Sequence, residues 1–208
     1  MCGIAGIAAL ASGSAPVDPS ELLAIRDAMA TRGPDGSGLW VAGDGSVGLA
    51  HRRLAVIDPT ARASQPMALA ESGLVIVFNG EITNYKALRA ELAGAGRSFR
   101  TESDTEVLLN LYDRDGPAMV ERLRGMFAFA IWDAPRRRLF AARDHFGILP
   151  FYYAEDGASG TLRFASQVKA LRRSRAIPAG TDPAAQVGFL LLGYVPEPHT
   201  TEAAIRTL

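Results

Sequence analysis

The chain has 208 residues, 48% hydrophobic and 21% charged, enough apolar material to bury a core and too much for a disordered class. Lys plus Arg and Asp plus Glu both number 22, so the formal net charge is zero and nothing draws the chain toward nucleic acid or an acidic membrane. A single cysteine excludes an internal disulfide framework and a finger-type zinc site, and no apolar run reaches the roughly 18 residues of a membrane span.

The opening "MCGIAGIAALASGSAP" is apolar but short, glycine-broken and uncharged, unlike a signal peptide, so a cytoplasmic location is expected. Within it "CGIAGIAAL" (2–10) reads as a buried strand and "ASGSAP" as a loop. Residues 18–32 predict a helix, with Asp18 as cap, Pro19 in the first turn, and a stripe of Leu22, Leu23, Ile25, Ala28 and Met29. "GPDGSG" (33–38) ends it. "LWVAG" and "VGLAHRRLAVID" predict two strands joined at "GDGS" as a hairpin. "GLVIVFNGEI" (73–82) is a strand rich in β-branched residues running into Asn-Gly. Residues 84–96 predict a helix closed by glycine, and 103–116 another, with Ser103 as N-cap and Glu106 completing a capping box. "MFAFAIWD" with "RLFAARD", and "PFYYAED" with "TLRFAS", predict two further strand pairs, and "QVKALRRS" a short helix.

Strands in hairpin-like pairs with a few amphipathic helices predict an α+β fold with antiparallel sheets. Composition shifts near residue 176, so a first domain is expected over 2–180, with 181–208 the truncated start of a linker or second domain. The ending after "GYVPEPHTTEAAIRTL" leads us to expect a longer parent protein.

There is no Walker loop, no Rossmann glycine fingerprint and no "HExxH", and His51, His145 and His199 are widely spaced. Cys2 stands out by position. On position alone, burial as a small strand residue is the favoured reading. If the initiator methionine is removed, however, Cys2 carries a thiol of pKa about 8.5 beside an α-amine of about 7.7–8.0, a nucleophile with its own base. "FNGE" (78–81) offers an oxyanion hole in the Asn79 amide and the Gly80 N–H, although Asn-Gly alone is usually a tight turn. Arg53 lies in a strand built for burial and needs an anionic partner, either a substrate carboxylate or an ordinary salt bridge; Arg52 points the other way. Asp104, in the first turn of its helix, suits the helix dipole and could also hold a substrate ammonium. "RGPDGSG" could wall a pocket or merely connect. "RDHFGILPFYY" (143–153), His145 included, reads as structural.

Taken together and in this order, "MCGIAG", "RGPDGSG", "HRRLAVID", "QPM", "VFNGEITNY", "SDTEV", "GMFAFAIWD" and "RDHFGILPFYY" closely resemble the glutamine amidotransferase domain of asparagine synthetases, a class II amidotransferase and N-terminal-nucleophile hydrolase. The likeness covers roughly residues 2–175. It implies a four-layer αββα sandwich and hydrolysis of the glutamine side-chain amide. Cys2 is then the nucleophile, and Asn79 and Gly80 form the oxyanion hole. Arg53 holds the α-carboxylate, backbone of Leu54, Ala55, Val56 and Ile57 lines the pocket, and Glu81 and Asp104 receive the α-amino group. No cofactor is implied for this domain. ATP and Mg belong to a C-terminal synthetase domain, whose "SGGLDS"-like pyrophosphate loop this sequence lacks, so the chain alone is not expected to make asparagine. The implied partners are L-glutamine and that synthetase domain, with no nucleic acid and no membrane; a homodimer stays open. Two departures stand out: Thr83 where the family more often has tyrosine, and Leu149 where many members carry lysine. Three alternatives remain at this level. One is another class II enzyme of the glucosamine-6-phosphate synthase type, against which "RGPDGSG" and "GMFAFAIWD" argue. Another is an acceptor other than aspartate, in an antibiotic, lasso-peptide or polysaccharide pathway. The last is a glutamine-binding domain without turnover.

Overall fold

The computed structural model describes residues 1–9, 11 and 13–208; Leu10, at the end of the first predicted strand, and Ser12 in the following loop lie outside the described residues. In chain order the elements are β1 (Gly3–Ala9), α1 (Pro19–Asp27), β2 (Gly36–Val41), β3 (Val47–Arg53), β4 (Met67–Leu69), β5 (Leu74–Ile82), α2 (Tyr85–Gly94), α3 (Asp104–Asp115), β6 (Gly125–Asp133), β7 (Arg138–Arg143), β8 (Tyr152–Asp156), β9 (Thr161–Ala165), α4 (Val168–Leu171), α5 (Pro183–Leu192) and β10 (Arg206–Thr207). They form a six-stranded sheet, β10-β8-β9-β1-β3-β2, and a four-stranded sheet, β4-β5-β6-β7. All pairings between these strands are antiparallel. No helix among the described residues is long and apolar enough to cross a membrane.

The period of two along each strand builds the layers. On β5, Leu74, Ile76 and Phe78 turn toward Leu88 and Leu92 of α2 and Val107, Leu108 and Leu111 of α3. Val75 and Val77 turn the other way, onto Ile4, Leu49, Phe151 and Phe164 of the larger sheet side. On β1, Ile4 and Ala8 share that inner layer, whereas Ala5 and Ile7 meet Leu22 and Ile25 of α1 and Ala170 and Leu171 of α4. Three apolar layers therefore separate four structural ones: α1 with α4, the larger sheet, the smaller sheet, and α2 with α3. This is the αββα sandwich that the resemblance implies.

Several local expectations need correction. Helix α1 stops at Asp27, and Met29, Ala30 and Arg32 continue it as i→i−3 turns. Strand β3 stops at Arg53, so the predicted strand residues 54–58 are irregular: the register of β3 with β1 and β2 ends there, and no neighbour remains to pair with. Asn79-Gly80 is strand, not turn. Ser103 caps α3 as expected by accepting from Thr105 N–H, but Glu106 forms no capping box. Its buried carboxylate instead accepts from the Arg100 and Thr101 N–H groups and the Thr101 hydroxyl, while Ser103 N–H donates to Thr101.

Gly6 of β1 faces the inner layer, where the neighbouring strand β9 lays the Phe164 ring across it. A Cβ there would lie 2.3 Å from the Phe164 ring, which stacks on Phe151 at a centroid distance of 5.0 Å. Gly6→Ala is expected to cost about 1–3 kcal/mol in a urea or thermal melt, as for other overpacked cores. Adding Phe164→Leu should recover part of that loss; an unchanged midpoint for Gly6→Ala alone would contradict the packing.

Candidate active site

Alternation also aims the chemistry. The inner face of the larger sheet carries Ile4, Gly6 and Ala8 on β1 and Val47, Leu49, His51 and Arg53 on β3. The pairing Gly3↔Arg52 sets Cys2, one residue ahead of β1, opposite Arg53. On the smaller sheet the inner series Val75, Val77 continues to Asn79. Cys2, Arg53 and Asn79 thus open into the same gap between the sheets, where they share the lining of a pocket of about 210 Å³ with Leu54, Gly80 and Asp104.

The Cys2 sulfur sits against the backbone of Leu54, 3.4 Å from its N–H donor and 3.5 Å from its carbonyl oxygen. Burial pushes the thiol pKa up; the Leu54 N–H, the positive chain terminus and Arg53 pull it back. Arg32, at the end of the turns after α1, donates Nε–H to the Cys2 carbonyl at 2.6 Å. Met1 stands in front of Cys2 and lines the same pocket.

The backbone edge beside the pocket follows from where β4 ends. Its pairing with β5 runs only from Leu69↔Leu74 to Met67↔Ile76. Past Ile76, the backbone of Phe78, Gly80 and Ile82 points to that open edge, because alternate residues of a strand direct N–H and C=O to the same side. Gln65 replaces the missing strand by accepting Phe78 N–H on Oε1 at 2.6 Å, and Asp104 accepts Ile82 N–H at 3.1 Å. Between them on that edge, Gly80 lines the pocket. Beside it, Asn79 Nδ2 is buried without a partner. Only glycine fits at 80, since a Cβ would lie 2.3 Å from the Met126 carbonyl oxygen. Two donors on one edge can take charge developing on an oxygen.

The remaining predicted residues are placed as follows. Arg53 is half-buried; its Nη1 and Nη2 donate to the Thr60 and Asp58 carbonyls at 2.8 and 2.5 Å, so the guanidinium braces the following loop as well as lining the pocket. Leu54, Val56 and Ile57 line the pocket, but Ala55 does not, its N–H being taken by Asp35. Glu81 lines the pocket and is exposed. Asp104 is buried at the N-terminus of α3, and its carboxyl is pushed up to about 6, chiefly by burial and further by Glu81, against the backbone N–H groups of Ile82 and Thr105. Of the two departures, Thr83 lies outside the lining, donating to Arg124 C=O, while Leu149 is buried in it. His145 is exposed on a loop that Asp144 folds by accepting from the N–H groups of Phe146, Ile148 and Leu149. Sequence reasoning assigned no role to Gln65, which also donates to Thr105 Oγ1, or to Arg32; the only signal was their presence in "QPM" and "RGPDGSG".

With this geometry in hand, comparison with known proteins is informative. Residues 1–208 match the family model described as "Glutamine amidotransferase domain". A putative asparagine synthetase [glutamine-hydrolyzing] of Mycobacterium tuberculosis H37Rv is 42% identical over all of this chain and 34% of its own length. Asparagine synthetase B [glutamine-hydrolyzing] of Escherichia coli K12 is 40% identical over 87% of this chain and 32% of its own length. The chain therefore spans about a third of the length of these relatives. Among solved structures, glutamine phosphoribosylpyrophosphate amidotransferase from B. subtilis superposes with a TM-score of 0.66 at 21% identity, covering 82% of this chain and 43% of the other, a likeness of fold. From the whole-length family match and the relatives that cover it, the chain belongs to the glutamine amidotransferase domain family.

Proposed function

We propose that this chain hydrolyses the side-chain amide of L-glutamine to glutamate and ammonia, with Cys2 as an N-terminal nucleophile. The observation that supports this best is the convergence of one thiol, the unpartnered Asn79 Nδ2 and the Gly80 backbone in a pocket that also holds a cation and an anion, Arg53 and Asp104. A zwitterionic amino acid suits that lining: its carboxylate goes to Arg53 and its ammonium to Asp104 and Glu81, while backbone of the 54–57 loop flanks it.

In this reading, removal of Met1 turns the amide nitrogen of Cys2 into an amine. Because burial raises the thiol pKa, the thiol needs that base. The amine takes the thiol proton, the sulfur bonds to the amide carbon, and the electron pair moves to oxygen, held by Asn79 and Gly80. The ammonium returns its proton to the leaving nitrogen, the C–N bond breaks and ammonia departs. Water then adds to the thioester, the amine again taking a proton, and the C–S bond breaks to release glutamate. The step uses no cofactor. The relatives are named asparagine synthetases and are about three times as long; on the family resemblance, a synthetase domain in a longer chain, with ATP and Mg, would pass the ammonia to aspartate, and a different acceptor would leave this domain's chemistry the same.

Active protein is expected to have an intact mass lacking Met1 and to release glutamate from glutamine. Cys2→Ala should abolish that release; turnover at the wild-type rate would remove the nucleophile. Asn79→Ala should lower kcat by about a hundred- to a thousandfold, and a loss under about tenfold would argue against the oxyanion role.

Asp104 adds a pH dependence. Its folded pKa of about 6 lies above the ordinary 3.8, so the folded state holds the extra proton between those values. Glutamine affinity should therefore fall about tenfold per unit below pH 6, as the carboxylate that meets the ammonium is lost. Stability moves oppositely: this group's destabilisation is absent below pH 3.8 and complete above about 6. Asp104→Asn should thus bind glutamine poorly yet gain about 1–3 kcal/mol at pH 7.5, a gain that vanishes near pH 4. Lower stability of the variant at pH 7.5 would contradict the assignment.

A further inference from the structure

His51 lies on β3, two residues before Arg53, and is fully buried between the sheets. Its Nε2 is 3.2 Å from the carbonyl oxygen of Phe78 on β5. Among the described residues, no other hydrogen bond joins a strand of one sheet to a strand of the other. A carbonyl only accepts, so Nε2 carries the proton and Nδ1 is a bare acceptor. Burial, with a smaller push from Arg53, lowers the imidazole pKa to about 4 against the opposing effect of the Phe78 bond. Nδ1 is buried with no partner. An unpaired buried acceptor costs stability, so packing alone favours an apolar side chain here.

What the histidine holds is the residue next to the oxyanion donors. Phe78 precedes Asn79 and Gly80, and both its backbone polar groups face the edge where β4 no longer pairs. Gln65 takes its N–H and His51 its C=O. Without His51 that carbonyl is unpaired, and the peptide linking Phe78 to Asn79 loses the bond that fixes its tilt. The imidazole is mounted on the strand beside β1, which follows Cys2, so the bond ties the sheet of the nucleophile to the sheet of the donors.

We propose that His51 is a positioning residue for amide hydrolysis: its cross-sheet hydrogen bond to Phe78 sets where Asn79 Nδ2 and Gly80 N–H stand relative to the Cys2 sulfur. This rests on the hydrolytic reading above. It separates binding from chemistry. Arg53 and Asp104, which hold the ends of the substrate, do not depend on the Phe78 carbonyl, so loss of His51 acts on the transition state.

The test compares His51→Asn with His51→Gln in the full-length chain. Both replace the ring by a buried amide. The Gln nitrogen reaches the position of Nε2, and the Asn nitrogen that of Nδ1, too short for Phe78. His51→Asn is expected to lower kcat for glutamate release by about tenfold to a hundredfold, the scale of a small misplacement, with KM changed less than about threefold. His51→Gln should recover most of that loss. Affinity for glutamate γ-semialdehyde, whose aldehyde forms a tetrahedral adduct with Cys2, should fall in step with kcat, while affinity for glutamate holds. Wild-type kcat in His51→Asn, equal losses in both variants, or a change in KM alone would overturn the proposal. Nitrogen NMR of the wild-type imidazole tests it without substitution: a proton on Nε2 is expected, and one on Nδ1 would overturn it. Inactive wild-type protein would instead remove the hydrolytic reading, and this inference with it.

Discussion

Past Ile76, strand β5 loses its neighbour on one side, because β4 ends its pairing at Met67. Buried backbone polar groups must find partners, so an open edge inside a protein has to be filled group by group. Gln65 supplies an acceptor for Phe78 N–H, His51 a donor for Phe78 C=O, and Asp104 an acceptor for Ile82 N–H. Gly80, between Phe78 and Ile82 on that edge, lines the pocket instead. The site is thus a gap in a sheet beside which three backbone groups are met by side chains from three directions. The same edge explains why Asp104 is held at the first turn of α3 and why Gln65 is drawn into the pocket lining, whereas position 80 admits no Cβ because β6 approaches it at Met126 and Phe127.

Burial is the leading influence on three titratable groups around this gap. It raises the Cys2 thiol, raises the Asp104 carboxyl and lowers the His51 imidazole. All three shifts favour the neutral form, as a poorly solvated gap requires. In the proposed reaction the substrate brings the compensating charges. Its ammonium favours ionised Asp104, and its carboxylate meets Arg53, whose positive charge otherwise serves the 58–60 loop carbonyls. His51 differs: no substrate charge meets it, and although its one hydrogen bond, to the Phe78 carbonyl, favours the charged ring, burial overrides it.

Local pattern carried most of the fold into view. The β-branched run of "LVIVF" and the Ser103 cap predict β5 and α3 because both are settled within a few residues of chain. The reading of 54–58 as strand fails for the opposite reason: those residues have strand-like side chains but no neighbour to pair with, and pairing is a long-range property. Glu106 has the spacing of a capping box, yet three donors at Arg100 and Thr101 outbid the single N–H of Ser103. Of the site, Cys2 was legible from its place at the chain start and Asn79-Gly80 from its place at a strand end. Gln65 and His51 were not. Their roles exist only because β4 stops where it does, and an isolated histidine without metal-binding companions carries no signal of its own.

The chain start can change chemically without moving the sulfur. Cys2 is located by the pairing of Gly3 with Arg52, by Leu54 against the sulfur, and by Arg32 on the Cys2 carbonyl. None of these contacts involves Met1, whose side chain is 60% exposed and touches Arg32 only through its sulfur, at 3.8 Å. Loss of Met1 therefore leaves the thiol where it is, beside Leu54 and across from Arg53, and alters only the nitrogen, from an amide that cannot accept a proton to an amine that can. A residue added in front of Cys2 would keep the same geometry and lack the base. In the proposed reaction the constraint on position 2 is accordingly electronic as well as spatial: the strand pairing places the thiol, and a free chain end would activate it.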